Sequence, residues 1–247
     1  MNITVLTFDT IESTNTEAMR QARLGADEGL CIVARQQSAG RGRHGRTWVS
    51  AKDAGLYFSI VLRPKLEARF LPLITLMSGV AVHDTLKEYG LTPDIKWVND
   101  ILIIDKKISG ILAETAETPT GVAVIVGIGI NIRSSNFPDQ ISTIATSIEA
   151  ESGEMPTIDG LANNLTRYLS YFYGILSDDN GPATILHEWR RRSTYFSGKS
   201  IRVVLERETV TGITDGLEEN GALRVRQIDG SVTIIQAGDV ETLRTTG

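Results

Sequence analysis

Between residues 94 and 132, four strand-like segments follow one another with almost no chain between them. They cover 94–97, 101–104, 108–113 and 122–132, and Asp105-Lys106-Lys107 and Pro119-Thr120-Gly121 supply two of the turns. Connections this short cannot return a strand in the parallel sense, which takes a dozen residues or more. A chain holding this meander must fold around a largely antiparallel sheet.

Other elements surround it. Strand patterns occupy 4–8, 30–34 and 55–62, the last being Gly55-Leu56-Tyr57-Phe58-Ser59-Ile60-Val61-Leu62. Thr14 followed by Glu17 has the form of a capping box, and Gly25 supplies a stop, which predicts a helix over 15–24. Apolar spacing predicts further helices over 72–89, 161–176 and 182–192. The character changes at Ser197-Gly198, beyond which short strands are broken by Asp215-Gly216, Asn220-Gly221 and Asp229-Gly230. This divides the chain into a main domain, 1–196, and a small β-module, 197–247. The module is too small to hold a core alone and must dock on the rest.

The 247 residues carry a net charge of −5, so the surface as a whole repels nucleic acid. The single cysteine, Cys31, lies in an apolar run and reads as a small core residue. His44, His83 and His187 lack metal-ligand spacing. No signal segment and no membrane-length apolar run occurs, so a cytoplasmic protein is expected.

Against that acidic background, Gly40-Arg41-Gly42-Arg43-His44-Gly45-Arg46 packs three glycines and three arginines into one loop, and no carboxylate lies anywhere in 29–52. Glycines allow close backbone approach, and arginines match phosphate and carboxylate oxygens. The loop therefore reads as a polyanion site, the alternative being a flexible basic turn. Its glycines formally match a dinucleotide-binding fingerprint, but Thr47 leads into a strand rather than a helix. No Lys-Ser/Thr pair follows, which excludes a P-loop, and kinase signatures are absent.

Three more segments carry chemistry. Lys96-Trp97-Val98-Asn99-Asp100 sets a lysine and a carboxylate at a strand end, suited to a phosphate and to a base or metal, or else simply a self-bonded turn. Lys107 begins Lys107-Ile108-Ser109-Gly110, where Gly110 permits close approach; alone it reads equally as a solvated turn lysine. Gly127-Ile128-Gly129-Ile130-Asn131 puts two glycines and an asparagine in a hydrophobic strand, marking either a ligand against the sheet or an empty bulge.

Together with Glu12-Ser13-Thr14-Asn15, Gln37 and Trp48, these segments resemble the biotin–protein ligase (holocarboxylase synthetase) family, in family order over most of 8–133. One departure is Val98, where proline is usual. The resemblance implies an α+β fold, a mixed, largely antiparallel sheet flanked by helices with a small C-terminal SH3-like β-barrel. It also implies an enzyme that joins biotin and ATP into biotinyl-5′-adenylate, with Mg²⁺, then passes biotin to a lysine of a biotin carboxyl carrier protein.

By the same resemblance, Ser13, Thr14, Asn15, Gln37, Arg41, Gly42, Arg43, Lys107 and Gly110 would bind biotin. Arg41, Arg43, Arg46, Trp48, Lys96, Lys107 and Asn131 would hold ATP or the adenylate, with Trp48 and Asn131 flanking the adenine. Lys107, Arg43, Asp100 and Lys96 are the catalytic candidates, and Asp100 would orient the incoming amine or sit near the metal. The loop is expected to be mobile when empty and to order over the adenylate. Three other readings stand beside this one: a lipoate-type ligase on the related fold, a ligand sensor without turnover, and a nucleic-acid-binding regulator. The last is disfavoured by the net charge and by motifs that begin already at Ser13, which leads us to expect a form without a DNA-binding domain. No membrane partner is expected, and a homodimer is left open.

Overall fold

The computed structural model describes residues 1–134, 137–205 and 208–242. Seven strands form one sheet: β1 (Thr4–Phe8), β2 (Leu30–Ala34), β3 (Gly55–Leu62), β4 (Asp94–Lys96), β5 (Asp100–Ile103), β6 (Lys106–Thr118) and β7 (Gly121–Asn131). Their order is β1-β2-β3-β7-β6-β5-β4. Only β1 and β2 pair in parallel, around the helical crossover that such a pair requires; every other neighbour is antiparallel, as the short turns demand.

Helices cover both faces. On one lies α1 (Thr14–Arg23), whose Ala18 and Ala22 let it sit close over Ile32, Val61 and Ile125. Against the other lie α2 (Leu73–Lys87), α5 (Ile158–Leu176) and α6 (Gly181–Arg190), and α2 is buried on nearly every side. Two short helices, α3 (Asp139–Ser142) and α4 (Ile148–Ser152), were not expected from the sequence. At four and five residues they are too short to show a helical period.

The capping box expected at the start of α1 does not form. Ser13 is the backbone N-cap and contributes no side-chain bond, while Glu17 turns to Arg20 and Gln21. Thr14 is thus released from capping. Cys31 is fully buried, and burial pushes its thiol up to about 12, leaving it inert.

The C-terminal module is a five-stranded antiparallel sheet made of β8 (Ser197–Val204), β9 (Thr209–Leu217), β10 (Leu223–Arg226), β11 (Val232–Ile235) and β12 (Asp239–Thr242). Its Asn220-Gly221 turn rests on α2. Gly221 has φ +85°, and a Cβ there would come within 2.7 Å of Leu76 and 3.0 Å of Leu73. Its carbonyl accepts a 2.9 Å hydrogen bond from Trp97 Nε1. Ile201, Val203, Leu223 and Val225 belong to the same apolar cluster as α2, so one core runs through both parts. Truncating Leu73 or Leu76 to alanine would cost about 2–5 kcal/mol and loosen the joint as well as the core.

Candidate active site

The start of α1, the glycine–arginine loop and strands β3, β6 and β7 build a first recess, in which the neutral groups of Ser13, Thr14, Asn15, Gln37 and Asn99 stand beside Arg41, Arg43 and Lys107. Thr14 donates to Gln37 Oε1 through its amide at 2.8 Å and its hydroxyl at 3.1 Å. Gln37 Nε2 donates to Ser50 Oγ at 2.8 Å, and Ser50 in turn donates to the Trp48 carbonyl. Behind them the Ser59 hydroxyl donates to Asn15 Oδ1 at 2.6 Å and lies 2.8 Å from Thr14 Oγ1. Asn15 Nδ2 reaches Glu114 Oε2 at 2.9 Å and the Leu112 carbonyl at 3.3 Å. Burial makes a broken link in such a network expensive, so its members hold one arrangement.

The strand glycines take a different role from the one expected. No ligand is needed to explain them, because a Cβ on Gly127 would overlap the Asn15 amide and one on Gly129 would overlap the Trp48 ring. Gly110, paired with Gly129 across β6 and β7, would bring a Cβ to 3.0 Å from Trp48 Cζ3. Together they form a flat bed on which the indole lies. Lys107 Nζ stands 5.5 Å from the ring centroid, a cation–π contact.

Lys107 faces that bed because the strand is irregular. Ile101 of β5 opposes Ser109, but Leu102 opposes Lys107, so Ile108 is an extra residue in β6. Such a bulge rotates the following side chains by half a period. It brings Lys107 and Gly110 to the same side, with Lys107 Nζ 2.6 Å from Asp100 Oδ1, an ion pair without hydrogen-bond angles. Lys96 lies opposite Asp100 across β4 and β5. Burial pulls the Lys96 amine below its ordinary value, with Asp100 opposing that pull and Lys107 adding to it.

The glycine–arginine loop is a closed hairpin. Trp48 N donates to the Gly40 carbonyl, Arg41 pairs with Thr47, and the Gly42 amide donates to the Arg46 carbonyl at 2.7 Å. That amide is therefore spent within the loop and is not offered to an anion. The arginines are paired too, by carboxylates from far along the chain. Arg41 binds Glu114 at 2.5 Å, and Arg46 binds Asp239 of β12. Arg43 donates to Asn99 Oδ1 at 2.9 Å and to the Gly238 carbonyl at 3.3 Å, with Asp239 3.8 Å away. Burial draws the Arg43 guanidinium down from its ordinary value, against the attraction of Asp239 and Asp100.

A second recess opens beyond this loop. It is lined on one side by Arg43, Arg46, Lys96, Lys107, Asp100 and Asp239, and on another by Phe137, Ile141, Ile144 and Ala145. Asn131 lines it as well, but its side-chain amide is spent on the Thr146 carbonyl at 2.9 Å and the Lys107 carbonyl at 3.4 Å. Gly42, Arg43, Trp48, Asn99 and Lys107 line both recesses. Among the described residues no three His, Cys, Asp or Glu side chains gather to hold a metal; Asp100 is one carboxylate beside two lysines.

Residues 7–131 match the model of the biotin/lipoate A/B protein ligase family. The chain belongs to that family. Residues 196–242 match the biotin protein ligase C-terminal domain. A Paracoccus denitrificans relative named biotin–[acetyl-CoA-carboxylase] ligase is 32% identical over 241 residues, covering 93% of this chain and 96% of its own. The bifunctional ligase/repressor BirA of Bacillus subtilis is 34% identical over 242 residues, covering 94% of this chain and 72% of its own. The solved biotin protein ligase of Aquifex aeolicus, in complex with biotin and ATP, superposes with a TM-score of 0.84 at 26% identity, over 98% of this chain and 99% of that one.

Set in this family's fold, the expected site residues all line one or both recesses. Sequence reasoning missed Ser59, Asn99 as a side-chain partner, Glu114 and Asp239. Ser59 did leave a signal, as the one small polar side chain within an apolar strand. Asp239 left none, since nothing local links it to a loop so far away in sequence.

Proposed function

We infer that the chain is an ATP-dependent biotin–protein ligase, and that its two recesses hold the two substrates end to end. The observation that carries this is the shared wall. A carboxylate leaving the first recess and a phosphate entering the second would meet between Arg43 and Lys107. The neutral network of Thr14, Asn15, Gln37 and Ser59 suits the ureido ring of biotin, which offers both donors and acceptors.

Joining two anions is the central difficulty of the reaction. A biotin carboxylate oxygen bonds to the α-phosphorus of ATP, the bond from that phosphorus to the β-phosphate bridging oxygen breaks, and pyrophosphate leaves with the electron pair. Arg43 and Lys107 offset the repulsion at the meeting point, and Lys96 and Arg46 do so along the phosphates. Mg²⁺ would enter with ATP as part of that substrate and screen its phosphates. In the second step the neutral amine of the carrier lysine bonds to the acyl carbon, the bond to the AMP oxygen breaks with its electron pair leaving on AMP, and the proton lost by the amine passes to solvent. Asp100, at the edge of the shared wall, orients the incoming amine.

The carrier is a biotin carboxyl carrier protein, as the relatives' acetyl-CoA-carboxylase names suggest, and the enzyme acts in the cytoplasm. No helix among the described residues is long and apolar enough to cross a membrane. Pyrophosphate–ATP exchange tests the reading. Exchange is expected when biotin is added and absent with lipoate or with no acid; exchange with lipoate and none with biotin would overturn it.

A further inference from the structure

The glycine–arginine loop is tied to a carboxylate on the other module. Asp239 opens β12, and its carboxylate binds Arg46 and lies 3.8 Å from Arg43 and 4.0 Å from His44. Preceding it, Gly238 can take no side chain. A Cβ there would fall 2.7 Å from Val203 Cγ1 and 2.9 Å from Leu205 Cδ2. β12 pairs with β8 from Asp239 onward, and the carbonyl of Gly238 and the carboxylate of Asp239 both reach the loop's arginines.

This contact sits in the wall of the ATP-side recess, where four cations face two carboxylates, a surplus of two positive charges. A triphosphate demands more positive charge than that, and it must compete with Asp239 for the same arginines. The two arginines are not equally free to answer. Arg43 is mostly buried and anchored on Asn99. The Arg46 side chain is 67% exposed and has no second side-chain partner among the described residues. After pyrophosphate leaves, one phosphate remains, and the recess again holds surplus cation.

We propose that Asp239 is a positioning residue that releases Arg46 to the polyphosphate of ATP and takes it back when pyrophosphate departs, so pinning the loop to the C-terminal module over the acyl-adenylate. The inference rests on the ligase reading above and adds a partner exchange to it. Its sense is that the loop is unpinned while ATP occupies the recess and pinned again over the intermediate. Binding ATP breaks the pin, and losing pyrophosphate restores it.

The test is release of labelled biotinyl-adenylate, formed on the enzyme, isolated and chased with unlabelled ligand. Asp239→Asn is expected to release it about threefold to tenfold faster, as is Arg46→Gln, which lies on an exposed side chain and leaves the fold intact. The double variant should release it no faster than the faster single one, because both remove the same contact. Asp239→Glu should restore slow release, which a merely structural defect would not allow. Unchanged release in Asp239→Asn, or additive effects in the double variant, overturns the pin while leaving the ligase reading intact if biotin-dependent exchange persists. Loss of that exchange in the unaltered protein would overturn both.

Discussion

The two recesses solve recognition in opposite ways. The recess assigned to biotin has, beside Arg41 and the two cations it shares, a set of amides and hydroxyls that bond one another: Thr14 to Gln37, Gln37 to Ser50, and Ser59 to Asn15. The ATP-side recess is lined by charges that pair with one another: Arg46 with Asp239, Lys107 with Asp100. The first is preorganised, and a ligand fits it. The second is self-neutralised, and a ligand must displace a resident partner to enter. A neutral ring can be recognised by a rigid surface, whereas an anion that comes and goes needs cations that tolerate its absence.

That contrast can be broken most forcefully at the shared wall. Lys107→Ala removes the cation common to both recesses, and adenylate formation should fall about a thousandfold with the fold unaltered. A loss below tenfold in single-turnover assays would mean that the lysine only decorates the bed. Next comes Gly129→Ala. The added methyl overlaps the Trp48 ring, so the indole must leave its bed, and affinity for biotin and ATP should fall together by about thirtyfold. An effect on one substrate alone, read by titration calorimetry, would show that Trp48 does not couple the two.

Smaller changes separate the recesses. Ser59→Ala strands the Asn15 carbonyl oxygen and should weaken biotin binding about tenfold, with the KM for ATP unchanged. A parallel loss in ATP affinity would refute the division between the two recesses. Lys96 provides the smallest test. Burial lowers its pKa, so it sheds its proton at a lower pH than an ordinary lysine, and the alkaline fall in adenylation should start correspondingly early. Lys96→Arg keeps its charge through that range and should move the fall to higher pH, with less than about threefold change at neutrality. An alkaline limb in the same place would remove Lys96 from the phosphate contacts.

The same division explains what could be read from the chain unaided. The meander, the buried β3 and α2, and the Lys96, Lys107 and arginine positions were legible, because strand periodicity and charge-bearing loops are local signals. Thr14 was misread for a physical reason. Its spacing to Glu17 fits a cap, but Gln37, brought in by the β2-to-β3 connection, takes the hydroxyl instead. The glycines of β7 correctly marked a close approach, yet what approaches is the protein's own Asn15 and Trp48. Glu114 and Asp239 were invisible because their meaning lies in partners distant in sequence, and charge pairing across a fold leaves no trace in spacing.

The bulge at Ile108 has a consequence for how this family's sequences should be aligned. In an unbroken strand a lysine and a glycine three apart point in opposite directions; here the extra residue makes that interval the signature of a shared face. Deleting Ile108 would remove the bulge and set the lysine and the glycine two apart, an interval that keeps them on one face of a regular strand. The shared face is thus compatible with an interval of three where the bulge is present and of two where it is absent, so a gap at Ile108 belongs with loss of the bulge and leaves Lys107 in place.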